Sequence, residues 1–206
     1  MMTQVEAAQK LYGTLAKTYD DETRFIVGIR KQAIAALELR RGETVLDAGC
    51  GTGWCLPLLS RHVGRQGKVI GFDPTAQMLS IAESRVRAQN LVNIRLLRAC
   101  GNSVTLNSVP DAIIFSYTHD LVRSQTALAH IFSQARAGTR IVAVGTRLFP
   151  KWFFVGNWYL RYTHRVTITN FEGLDRPWTV LADFCRKHQV NVKAPGSRYI
   201  FIGTLA

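Results

Sequence analysis

The sequence predicts an α/β domain organised on a mostly parallel sheet, and three observations carry that prediction. Between residues 44 and 147, short β-branched runs alternate with longer stretches of helical periodicity. A glycine-rich turn, Gly49-Cys50-Gly51-Thr52-Gly53, separates the first run from the first helical stretch. The 206 residues suit one domain, and a hydrophobic content of 47% can fill a sizeable core. Charged residues make up only 19% of the chain, which argues against disorder.

Taken in order, residues 3–39 read as one or two helices split around Tyr19-Asp20-Asp21. Strands are expected at 44–48, 68–72, 94–98, 112–117 and 140–145, with helices near 54–63, 76–89 and 121–136. Alternation of this kind builds parallel strands covered on both faces. Thr75 is placed to cap a helix whose buried face is Met78, Leu79, Ile81, Ala82 and Val86. Pro57 lies near a first helical turn, where its missing N–H costs little. Residues 148–170 form an aromatic, basic insertion after the fifth strand. A last helix begun by Pro177 is expected to run to about His188, followed by a hairpin of 190–193 and 199–205. The chain thus divides into a helical segment (1–39), a core (40–147), the insertion (148–170) and a closing helix and hairpin (171–206).

Lys and Arg number 26 against 14 Asp and Glu, a net charge of +12. Such an excess favours nucleic acid, phospholipid headgroups or an acidic small molecule, or is simply a solvated basic surface. No apolar run reaches the roughly 18 residues of a membrane span. The N-terminal MMTQVEAAQK lacks the basic-then-apolar order of a secretory signal, so a cytoplasmic location is expected, with peripheral membrane contact left open. Cysteines 50, 55, 100 and 185 form no CxxC pair and cluster with no His, so they read as reduced residues and no metal is expected.

The chemistry concentrates at Val45-Leu46-Asp47-Ala48-Gly49-Cys50-Gly51-Thr52-Gly53, which ends a strand and opens a helix. Open α/β sheets bind ligands at the carboxyl ends of their strands, and glycines there let the backbone approach a ligand closely. The next strand ends in Asp73, whose carboxylate can accept hydrogen bonds from both hydroxyls of an adenosine ribose. A dinucleotide site usually reads GxGxxG to cradle a pyrophosphate. Here the pattern is GxGxG behind Asp47, and that negative charge suits an ammonium group better than a phosphate. The alternative is a tight strand–helix turn without a ligand.

This stretch resembles the first motif of the class I S-adenosylmethionine-dependent methyltransferases, and Gly71-Phe72-Asp73-Pro74-Thr75 with Met78-Leu79 resembles their second. The resemblance covers about residues 40–147. It implies a Rossmann-like fold with a mostly parallel seven-stranded sheet, helices on both faces and a C-terminal antiparallel hairpin. It also implies S-adenosylmethionine as cofactor and S-adenosylhomocysteine as product. By the same likeness Asp47, Gly49, Cys50, Gly51 and Gly53 border the methionine portion, Asp73 with Pro74 holds the ribose, and Met78 lies near the adenine. Family members usually place an acid after the third strand to read the adenine amino group. Here Cys100 stands in that place, with Gly101 and Asn102 beside it, and a thiol is a poor substitute.

The resemblance further puts Ser116 and Tyr117 beside the cofactor and makes His119 the candidate general base; the alternative is that His119 caps or packs against the next helix. It implies an N-terminal Tyr-Asp segment folded over the cofactor, for which Tyr12 and Tyr19 are candidates. Tyr19 is preferred, with a catalytic role, because Asp20 follows it; the alternative is an ordinary amphipathic helix. Residues 148–162 hold three Phe, two Trp and two Tyr, and Trp152, Trp158, Tyr159 and Tyr162 are expected to meet the acceptor with Tyr12 and His119. Aromatics with basic neighbours suit a small hydrophobic or lipid-like acceptor, or an anionic membrane surface. Three rivals remain: a phospholipid N-methyltransferase, an RNA methyltransferase, and a non-catalytic adenosylmethionine-binding protein. Nucleic acid is disfavoured, because the fourth strand ends Ser116-Tyr117-Thr118-His119 rather than in an Asn/Asp-Pro-Pro-aromatic element.

Overall fold

A computed structural model describes residues 12–150, 152–164, 171–193 and 196–206. Seven strands form one sheet: β1 (Thr44–Ala48), β2 (Lys68–Asp73), β3 (Ile94–Arg98), β4 (Ala112–Ser116), β5 (Arg140–Thr146), β6 (Cys185–Lys193) and β7 (Arg198–Leu205). Their order is β3-β2-β1-β4-β5-β7-β6. The first five are parallel, and β7 inserts antiparallel between β5 and β6. From β1 the chain winds outward to β2 and β3, then returns to β4 on the other side. The carboxyl ends of β1 and β4 therefore flank a topological switch point, where such sheets open a crevice.

The central strands are apolar because both faces are covered. Side chains alternate across the pleat, so Val45, Val69 and Ile114 face one core with Leu56, Leu59 and Ala33. Leu46, Ile70, Ile113 and Phe115 face the other with Leu128, Ile131 and Phe201. The covering helices are α1 (Tyr19–Glu22), α2 (Val27–Ala36), α3 (Leu56–Val63), α4 (Ala76–Ala88), α5 (His119–Val122), α6 (Gln125–Phe132), α7 (Phe154–His164) and α8 (Thr179–Asp183). Residues 12–15 are also helical, and a 3₁₀ turn (Arg24–Ile26) joins α1 to α2.

Several expectations are corrected. The helix expected to reach His188 ends at Asp183, and His188 lies in β6. As an edge strand β6 exposes most of its side chains, so it carries charged residues and lacks the apolar alternation of a half-buried strand. The stretch 121–136 is broken between α5 and α6, where the Ser124 hydroxyl accepts the Ala127 N–H (3.3 Å) as an N-cap. Tyr19-Asp20-Asp21 is itself helical, and the breaks fall at 16–18 and at Thr23. Thr75 makes no side-chain cap to α4; its N–H instead donates to Asp73 Oδ1 (2.9 Å). Residues 3–11 and 165–170 of the expected N-terminal helix and insertion lie outside the described residues.

Candidate active site

The turn after β1 has the shape its glycines dictate. Gly49 takes φ +74°, and a Cβ there would stand 2.4 Å from Thr118 Cγ2. Gly53 also takes φ +74°, and its Cβ would stand 2.9 Å from Ala82 Cβ, so α4 packs directly on the turn. Cys50, buried, donates its N–H to the Phe72 carbonyl (2.8 Å) and ties the turn to β2. Around Gly51 the space is open: a Cβ there would meet nothing within 4 Å.

Two carboxylates stand at this edge. Each oxygen of Asp73 accepts one backbone N–H, from Gly51 (3.0 Å) and Thr75 (2.9 Å), leaving lone pairs for further donors such as a pair of hydroxyls. Burial raises its pKa, and those hydrogen bonds pull it back. Asp47 is buried at the end of β1, and neither oxygen has a hydrogen-bond partner. Burial lifts its pKa to about 7, opposed by the Arg30 charge and assisted by Asp73. Arg30, on α2, is also buried, and its Nε and Nη1 lack partners. The Arg30 guanidinium packs over the Trp54 and Tyr117 rings, 5.4 and 5.5 Å from their centroids. A buried carboxylate without partners near a guanidinium with two unused N–H groups is costly unless a ligand serves both. The amino-acid end of adenosylmethionine, an ammonium beside a carboxylate, fits that pair.

Two cavities adjoin at Tyr12, which lines both. The smaller, about 250 Å³, is bordered by Gly49, Asp73, Pro74, Cys100, Gly101 and Asn102, together with Thr118 and Leu121. The larger, about 560 Å³, is bordered by Tyr19, Tyr117, His119, Phe149, Tyr159 and Leu160, and by Phe25 and Arg198. Tyr117 therefore lies on the second cavity rather than the first. Asp47, Cys50, Gly51, Gly53 and Met78 line neither, nor does Arg30; Met78 is buried in α4, so its expected place near the adenine is not supported. Ser116 ends β4, half-buried, and also lines neither.

The N-terminal Tyr-Asp segment does reach the site. Asp20 accepts the Thr52 hydroxyl (2.7 Å) and pairs with Arg85 of α4, which also donates to the Thr52 carbonyl. Tyr19 and Tyr12 meet edge to face, with ring centroids 6.1 Å apart. Burial raises the pKa of the Tyr19 phenol, against the pull of Arg30 beside it. Burial likewise raises Tyr12 and lifts Tyr117 to about 12, so all three are neutral hydrogen-bond donors at physiological pH.

His119 opens α5 and is buried, its ring perpendicular to that of Tyr117 at 5.9 Å. It fits because position 145 is glycine: a Cβ there would stand 3.0 Å from His119 Cε1 and 3.1 Å from Tyr199 Cε1. Of the four insertion aromatics expected at the acceptor, only Tyr159 lines the cavity. Trp158 and Tyr162 stack on each other at 5.8 Å and point outward with Trp152, because Leu160 takes the inward position of α7.

Sequence reasoning missed Arg30, Thr118, Leu121 and Phe25. Arg30 was detectable as the one cation inside the apolar stripe Ile26, Ile29, Ala33, Ile34. Thr118 directly follows the fourth strand, at the same sheet edge as the glycine turn.

A parallel sheet with its crevice at the switch point, a glycine turn and a carboxylate at the end of the next strand defines a Rossmann-like nucleoside-binding enzyme. Residues 45–139 match the family model described as a methyltransferase domain. A demethylmenaquinone methyltransferase of Listeria welshimeri is 25% identical over 171 residues, covering 78% of this chain and 72% of that one. One of Lactiplantibacillus plantarum is 31% identical over 147 residues, covering 67% and 62%. Among solved structures, a SAM-dependent methyltransferase from Aquifex aeolicus superposes with a TM-score of 0.69 at 21% identity, covering 94% and 98% of the two chains. The N-methyltransferase NodS from Bradyrhizobium japonicum gives 0.64 at 14% identity, covering 90% and 98%. The chain thus carries a methyltransferase domain over residues 45–139, on the fold of the class I S-adenosylmethionine-dependent methyltransferases, and it is an enzyme of that chemistry. Its cofactor is S-adenosylmethionine.

Proposed function

We propose that the enzyme methylates a small, flat, apolar acceptor of the quinone type, seated in the 560 Å³ cavity. The observation that carries this reading is the position of that cavity: it meets the smaller cavity at Tyr12, and aromatic rings with Ile26 and Leu160 make up about half of its wall, the rest being polar residues such as Thr146, Glu22 and Arg198. Demethylmenaquinone, named in the relatives' descriptions, is an acceptor of this type. Nucleic acid fits less well, because a chain of phosphates finds few cations among the residues lining this cavity.

In this reading Asp47 and Arg30 hold the ammonium and carboxylate of the cofactor, Asp73 the ribose hydroxyls, and Cys100, Gly101 and Asn102 border the adenine. When bound, S-adenosylmethionine supplies a methyl group on a positively charged sulfur, open to in-line attack. The protein's part is positioning and proton handling. Tyr19 and Tyr117 donate hydrogen bonds to acceptor oxygens, and His119 removes the acceptor's proton at its imidazole. The N-terminal segment, latched through Asp20, acts as a lid that excludes water. Such acceptors dissolve in lipid, so in this reading the enzyme draws its acceptor from a membrane. Among the described residues no helix is long and apolar enough to cross a membrane.

The test is methyl incorporation from labelled cofactor into reduced demethylmenaquinone and polar controls. Transfer to the quinone alone, lost about 10²–10⁴-fold in His119→Gln with cofactor affinity intact, is the expected result. Preference for a polar acceptor overturns the reading.

A further inference from the structure

The outer face of α7 is the most apolar exposed surface among the described residues. At 100° per residue, Phe154, Val155, Trp158, Tyr159 and Tyr162 fall within one arc, while Gly156 and Leu160 turn toward the domain. Trp152 is 79% exposed, Phe154 73% and Trp158 67%. Three large aromatics so open to water, on one short helix and its approach, exceed the scattered apolar residues of an ordinary surface. Among the described residues α7 is held to the domain by other side chains: Leu160 packs with Leu148 and Leu174, and Asn157 hydrogen-bonds the Phe149 backbone.

Two further observations say what covers this face. The chain carries a net charge of +12, and Arg161 lies at the edge of the arc, exposed. Across the cavity mouth Phe25 is exposed beneath the Arg198 guanidinium, 5.1 Å from its ring, and Arg24 stands next to it with its side chain in solvent, paired with the likewise exposed Asp21 (2.8 Å). Aromatics flanked by arginines match the headgroup region of an anionic bilayer, where rings enter the acyl boundary and cations meet phosphates. The face is also continuous with the acceptor cavity, because Tyr159 and Phe25 are exposed and line it as well.

We infer that α7 lies in the interface of an anionic phospholipid membrane and that the acceptor cavity opens toward the lipid between Tyr159 and Phe25. Only the direction of entry rests on the apolar-acceptor reading; the docking surface stands on its own residues.

The experiment uses the full chain with vesicles of phosphatidylcholine alone, or with phosphatidylglycerol added, and no acceptor. The protein is expected to co-sediment with the mixed vesicles and to have its tryptophan emission quenched by brominated acyl chains. The triple variant W152S/F154S/W158S, altered only at exposed side chains, is expected to keep its cofactor affinity by calorimetry. Its bound fraction should fall at least tenfold. A wild type that stays in the supernatant and is not quenched overturns the inference, as does a triple variant that binds equally well. So does a wild-type dimer that the triple variant abolishes, since the face would then be a contact between copies. Vesicle binding without transfer to any quinone leaves docking in place and removes the acceptor reading, so the two failures are distinct.

Discussion

At the scale of single residues, the Asp47 and Arg30 pair makes the sharpest predictions. Replacing Arg30 by Met removes a buried cation with unpaired donors, so the ligand-free protein should hold or gain stability in urea while cofactor affinity falls about 10–100-fold. A loss of stability with unchanged affinity would make Arg30 a structural residue. Asp73, whose pKa burial also raises, adds to a pH dependence set mainly by Asp47. The folded pKa of Asp47, about 7, lies above its unfolded value, so between roughly pH 4 and 7 the native state binds more protons than the unfolded chain. Stability of the ligand-free protein therefore falls as pH rises through that window. Affinity for an ammonium-bearing ligand moves the other way, rising toward a plateau above about pH 7 as the carboxylate ionises. Calorimetry across that range should show the slope, and Asp47→Asn should flatten most of it. Asp47 and Asp73 were legible because each ends a β-branched run. Arg30 was visible only as a cation inside an apolar stripe; its meaning depends on α2 packing on β4 and β5, which no local pattern gives.

At the scale of elements, the site depends on two close approaches. Asp20 fixes α1 to the glycine turn through Thr52 and to α4 through Arg85. Asp20→Ala should release that latch and speed cofactor dissociation about tenfold, measured by stopped-flow exchange, with little change in turnover at saturation. An unchanged dissociation rate would mean that the segment does not gate the site. The second approach is β5 against His119. Gly145→Ala places a methyl against both His119 and Tyr199, and Tyr199 is held in the core. The imidazole is the freer of the two, so kcat should fall about 10–100-fold while cofactor affinity stays. The same elements show what the sequence could specify. Strands buried on both faces declared themselves as apolar runs. The edge strand β6 did not, because a solvent-facing strand need not be apolar, and its Arg186-Lys187-His188 reads equally well as the end of a helix. In the insertion, composition identified an aromatic helix but not its rotation, which Leu160 decides by packing on Leu148 and Leu174.

For the whole molecule, the proposed cofactor site would draw on distant stretches of chain: Arg30 from α2, the turn at 49–53, Asp73 from β2 and Cys100 after β3. A ligand touching all of them binds only the folded state, so it must stabilise the protein as a unit. At a cofactor concentration about a hundredfold above Kd the gain is about 2.7 kcal/mol, which for a domain of this size shifts the melting midpoint by roughly 5–10 °C. S-adenosylhomocysteine should produce a similar shift, since it keeps the groups that Asp47, Arg30 and Asp73 would hold. Adenosine, lacking the amino-acid end, should give much less at equal concentration. Asp73→Ala should abolish the shift with both ligands while leaving the ligand-free midpoint within a few degrees, because its carboxylate orders only the local turn at Gly51 and Thr75. Equal shifts from adenosine and S-adenosylhomocysteine in calorimetric melts would mean that Asp47 and Arg30 serve each other rather than the ligand.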